Sequence, residues 1–152
     1  MKSVLLHVLS LDSTVAPTSA TFMHCTTGNN RTGVFVSLLL LLLGVSSELV
    51  AHEYALSEAG LAPTRHINVE RLLKKGAFQE YGPDEARRKC TRMVGARKES
   101  MHALLVKVKT KWGGAEGYFT REVGLSRDDL ERLKSLFTEE NVEHIVDEHV
   151  EQ

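Results

Sequence analysis

The chain has 152 residues, of which 42% are hydrophobic and 26% charged. That is room for one domain with one core, and too apolar a composition for wholesale disorder. Nineteen Lys and Arg against twenty Asp and Glu leave a net charge of -1, which excludes a generally basic nucleic-acid binder. Two cysteines, Cys25 and Cys90, are too few for a disulfide framework or a thiolate zinc site, and fit a reduced, cytoplasmic setting without a metal.

In chain order, Met1 to Leu11 (MKSVLLHVLSL) has the outline of a signal peptide: Lys2, an apolar run, then small residues near Thr18 to Ala20. His7 interrupts that run, and the same residues make an amphipathic helix packing Val4, Leu5, Val8 and Leu9. Thr14 to Ser19 reads as a loop and Thr21 to His24 as a brief strand between Pro17 and Gly28. Val34 to Val45 (VFVSLLLLLLGV) is nearly all apolar. Spanning a bilayer takes about 20 such residues, so this segment reads as a helix buried on most of its faces, not a membrane span. Gly44 ends it, and Ser46 or Ser47 caps the next helix, Glu48 to Ala59, which Gly60 and Pro63 close.

Further on, Asn68 to Lys75 suggests a short helix with Val69, Leu72 and Leu73 inward, followed by a loop from Gly76 to Pro83. Asp84 to Gly95 carries Arg87, Arg88, Lys89 and Arg92, with Arg97 and Lys98 just after. This is a solvated helix face or a dock for an acidic partner, and Cys90 within it reads as a spare thiol. Met101, Leu104, Leu105, Val108 and Trp112 form a helical stripe that Gly113-Gly114 breaks. Tyr118, Phe119 and Val123 fit a short helix ending at Gly124. Ser126 and Asp129 form a capping box ahead of Leu130, Leu133, Leu136 and Phe137. After Thr138 come Glu139, Glu140, Glu143, Asp147, Glu148 and Glu151 with no Lys or Arg, a frayed or disordered acidic tail.

The chemistry concentrates in His24-Cys25-Thr26-Thr27-Gly28-Asn29-Asn30-Arg31-Thr32-Gly33. A loop between a strand and a helix aims backbone N–H groups at one point, where the helix dipole also favours an anion. Gly28 permits a tight turn and close approach. Arg31 adds a planar fork of donors suited to phosphate. Cys25 sits at the mouth of this positive site, where its thiol pKa should fall. A phosphate held by the nest of residues 26–30 and by Arg31 would present phosphorus to Cys25. The Thr32 hydroxyl can stabilise the sulfur as a leaving group.

HCTTGNNRTG resembles the phosphate loop of the cysteine-dependent phosphatases: Cys, five residues, Arg, then Ser or Thr. The segments VFVSLLLLLLGVSSELVAHEYALSEAGLAP and WGGAEGYFTREVGLSRDDLERLKSLF look like the corresponding parts of the tyrosine/serine protein phosphatase group of fungi and bacteria, so the resemblance runs from Thr21 to Phe137. It implies Cys25, Arg31 and Thr32 as catalytic residues, and Thr26, Thr27, Gly28, Asn29, Asn30 and Arg31 as phosphate ligands. It makes His24 a residue that orders the loop, and Glu53-Tyr54 structural support. It needs no cofactor, and a phosphorylated protein is the implied substrate.

Two departures stand out. The group commonly has Lys-Asp where Asn29-Asn30 stand; losing the lysine favours a singly phosphorylated substrate, and asparagine cannot donate the proton an aspartate would. Asp12, alone among acids before Cys25, is the remaining upstream candidate. The family fold is α/β, with much of its central parallel sheet ahead of the phosphate loop, whereas this chain offers one strand candidate. The expectation is therefore a mostly helical, N-terminally truncated cysteine-phosphatase-like fold. Residues 1–138 would form the C-terminal part of the phosphatase domain and residues 139–152 the acidic tail. The function expected is phosphotyrosine hydrolysis, with phosphoserine or phosphothreonine as further esters. A non-catalytic phosphate-binding module, or an inert fragment, are the alternatives. The sequon Asn30-Arg31-Thr32 falls inside the loop and is discounted.

Overall fold

The computed structural model describes residues 1–10 and 22–137. The expected loop at Thr14 to Ser19, Asp12, and the acidic tail at 139–152 lie outside the described residues. The described residues are mostly helical and contain no strand. Helices α1 (Lys2–Ser10), α2 (Arg31–Leu42), α3 (Ser47–Leu61), α4 (Arg65–Lys74), α5 (Pro83–Val94), α6 (Lys98–Trp112), α7 (Ala115–Tyr118) and α8 (Arg127–Leu136) follow in order. Short 3-10 turns occupy Ala62–Thr64 and Gln79–Tyr81, and a π-helical stretch spans Phe119–Val123. The strand expected at Thr21 to His24 does not form over Phe22 to His24: those residues lack a ladder, and Phe22 is 86% exposed. A strand exists only as part of a ladder with a second strand, and no ladder forms among the described residues.

The chain divides into two compact units. The first takes in the described parts of Met1–Met23, Leu38–Val45 and Leu105–Gln152. Here α1 packs on α8, and the Arg132 guanidinium donates to the Leu9 carbonyl at 3.0 Å. Leu5 and Leu9 are the buried residues of α1; Val4 is exposed, because only positions four apart share the inward stripe. The last turn of α2 closes as expected. Gly44, at φ +86°, lets its own N–H donate to the Leu41 carbonyl and that of Val45 to the Leu40 carbonyl. Ser126 accepts from the Asp129 N–H while the Asp129 carboxylate accepts from the Ser126 N–H, each at 3.0 Å, so the capping box starts α8 where expected.

The second unit, His24–Ser37 and Ser46–Leu104, carries the motif. Its α3 begins at the Ser46 cap, whose hydroxyl accepts from the Leu49 N–H at 3.3 Å. Helix α5 starts with Pro83 in its first turn, Asp84 and Glu85 against the positive end of the dipole, and Arg92 in the last turn. It packs against α4 through a cluster of Val69, Cys90 and Val94, with Leu72, Leu73, Ala77 and Phe78 against it. Cys90 is thus a core residue, fully buried, with its thiol pushed up by that burial. Ala86, Cys90 and Val94 recur every four residues along α5, and that small-residue stripe was hidden behind the basic run. The cations themselves are solvated. Arg87 pairs with Glu70 at 2.6 Å and Arg88 with Glu85 at 2.8 Å. Lys89 lies 4.2 Å from the Tyr81 ring centroid.

Candidate active site

The loop from His24 to Asn30 ends in the first turn of α2, which begins at Arg31, three residues before the apolar run. Residues 26–30 are a series of bends. The Val34 N–H donates to the Asn30 carbonyl at 2.9 Å, so the helix grows directly out of the loop. Gly28 takes φ +79° with open space where a Cβ would stand, so its requirement is one of backbone conformation. Gly33 is the opposite case. A Cβ there would lie 2.6 Å from Tyr54 Cε2, so the absence of a side chain lets the Tyr54 ring of α3 seat directly against α2.

Cys25 is half-buried at the loop's start. Burial alone would raise its thiol. Hydrogen bonds from the Thr32 hydroxyl and from the backbone N–H groups of Thr32, Thr27 and Gly28 outweigh that and bring it down from 9.0 to about 6. The loop therefore gathers three amides and a hydroxyl around one sulfur. Arg31 is exposed, and its guanidinium donates to the Thr26 hydroxyl at 3.1 Å, which holds the cation along the loop. His24 Nδ1 lies 3.2 Å from the Cys25 carbonyl oxygen, on the chain's approach to that cysteine.

The two asparagines do something the sequence did not reveal. Asn29 is 1% exposed, and its amide Nδ2 donates to the carbonyls of Val94 and Gly95, each at 3.2 Å. Its Oδ1 accepts from the Thr27 hydroxyl. Asn30 is exposed and donates to the Met93 carbonyl at 3.1 Å. The side chains of both residues thus turn to the end of α5, where carbonyls lack helical partners. What Asn29 and Asn30 offer an anion in this structure is backbone.

Residues beyond the motif complete the support. Tyr54 is buried, and its hydroxyl is pushed up by that burial and by the negative charges of Glu58 and Cys25, with Asn29 acting in the opposite sense. Glu58 accepts from the Ala96 N–H at 2.6 Å and pairs with Arg65. Lys98 reaches Glu48 at 2.5 Å. The segment of residues 93–98 is thereby held to α3 on one side while its carbonyls hold the loop on the other. Tyr54 was legible as support from the Glu53-Tyr54 pair. Glu58 carried no signal, because its partner is a backbone N–H 38 residues away. Among the described residues no cluster of His, Cys, Asp and Glu could hold a metal ion, and no helix is long and apolar enough to cross a membrane.

The tyrosine phosphatase family model matches residues 1–139. A tyrosine-protein phosphatase of Nostoc commune is 34% identical over 116 residues, which is 76% of this chain and 38% of that relative. The chain therefore spans well under half the length of the curated relative it matches. No solved structure matches it. With the family's sequence pattern running through the loop, the helices that follow it and almost to the end of the sequence, the chain belongs to the tyrosine phosphatase family.

Proposed function

We propose that this chain hydrolyses phosphate monoesters of protein tyrosine through a covalent phosphocysteine, with phosphoserine and phosphothreonine as poorer esters. The observation that carries the reading is the convergence of the Thr27, Gly28 and Thr32 N–H groups and the Thr32 hydroxyl on Cys25, which lowers its thiol to about 6 and leaves it ionised at neutral pH. The phosphoryl oxygens sit in the nest of residues 26–30, with Arg31 released from Thr26 to bind them. Cys25 Sγ attacks phosphorus in line, the bond to the tyrosyl oxygen breaks, and that oxygen takes a proton. Water then attacks phosphorus, the S–P bond breaks, inorganic phosphate leaves, and the thiolate, hydrogen-bonded by Thr32, is restored. Stabilising charge on the transferring group is the main contribution of such a site.

Asn30 cannot protonate the leaving oxygen, so that proton comes from water or from Asp12, the upstream candidate. General acid catalysis typically contributes about 10²–10⁴-fold. Esters with acidic leaving groups should therefore turn over best. A phosphorylated protein in the cytoplasm is the substrate this chemistry suits, and two free cysteines are in keeping with a reducing setting. The same asparagine favours a second reading, a module that binds phosphate without turning it over. Incubation with p-nitrophenyl phosphate separates the two. Turnover that Cys25→Ser abolishes supports hydrolysis; vanadate binding with no turnover supports the module.

A further inference from the structure

We propose that Asn29 is the positioning residue of the phosphate loop, clamping it to the C-terminal end of α5 so that the Thr27 and Gly28 amides keep their aim at position 25. The inference rests on the proposed phosphatase reading. Asn29 is the one polar residue of the motif that is fully buried, at 1% exposure. Its amide spans two structures 65 residues apart. Nδ2 donates to the Val94 and Gly95 carbonyls at 3.2 Å, and Oδ1 accepts from Thr27, the residue whose N–H points at the sulfur. Asn30 repeats the tie at Met93, at 3.1 Å.

A loop usually takes its shape from the strand that enters it. Residues 22–25 form none here, and the loop is tied on its far side to a helix end through Asn29 and Asn30. A carboxylate at position 29 would set acceptor against acceptor at the Val94 and Gly95 carbonyls and lose both hydrogen bonds. The amide is suited to the place because it donates twice and accepts without bearing charge.

The test is the pH profile of Cys25 carboxamidomethylation by iodoacetamide in the full chain, read by the mass of the Cys25 peptide. Wild type, Asn29→Ala and Asn29→Leu are compared, each checked for its circular dichroism. Loss of the clamp should raise the midpoint by a unit or more in both variants, and lower the rate at pH 6 or below about tenfold. Leucine fills nearly the same volume, so a shift in Asn29→Ala alone would mean that packing, not hydrogen bonding, matters, and would overturn the proposal. Unchanged midpoints in both overturn it too. If neither variant folds, Thr27→Val decides. It removes only the hydroxyl that ties Thr27 to Asn29, and an unshifted midpoint there refutes the clamp. A wild-type thiol with an ordinary midpoint would instead be a failure of the phosphatase reading itself.

Discussion

At position 32 a single hydroxyl does much to keep the Cys25 thiol ionised, since it is the largest of the effects that lower it. Thr32→Ala should move the alkylation midpoint of Cys25 upward from about 6 while leaving the fold intact, and stopped-flow alkylation across pH would show it. The same depression has a consequence for stability. A thiol that ionises near 6 when folded and near 9.0 when unfolded adds stability progressively as pH rises from 6, and loses it again as pH falls back through 6. Denaturant melts of wild type and Cys25→Ser should therefore diverge in favour of wild type between pH 6 and pH 8; parallel curves would show the thiol unperturbed. Cys25, Gly28 and Arg31 were legible in the sequence because their chemistry resides in the residue type itself. Asn29 was not, since its direction is decided by carbonyls at 94 and 95, and no local pattern announces a partner at that separation.

At the scale of elements, the helix ends were the most readable features, because caps act within three or four residues. Ser46, Gly44 and the Ser126–Asp129 box all stand where local rules put them. Ser126→Ala should cost about 1 kcal/mol, read as a lower melting midpoint, whereas Arg87→Ala, which breaks the exposed, solvent-screened pair with Glu70, should move the midpoint far less. An Arg87 effect equal to that of Ser126 would contradict this ranking. What local rules missed were features decided by neighbours. The strand expected at Thr21 to His24 does not form over Phe22 to His24, since strand pairing is decided by segments far off in sequence. Helix α2 starts at Arg31 because the polar motif residues are themselves its first turn. Cys90 looked like part of a charged run until α4 covered the opposite face of its helix.

For the molecule as a whole, the candidate site is a loop gripped by helix ends: α2 grows out of its end, α5 holds its side, and Tyr54 of α3 lies against Gly33. Ligand binding should consequently stabilise the chain. Vanadate at about 100 times its dissociation constant should add about 2.7 kcal/mol, visible as a higher melting midpoint, and Arg31→Ala should remove most of that gain. The most direct test of the central claim, that this loop makes an ionised nucleophile, is the reaction of folded wild-type Cys25 with iodoacetamide from pH 4 to pH 10, with and without vanadate. The expected result is a midpoint near 6 and protection by the oxyanion. A midpoint near 9.0 with no protection would contradict it.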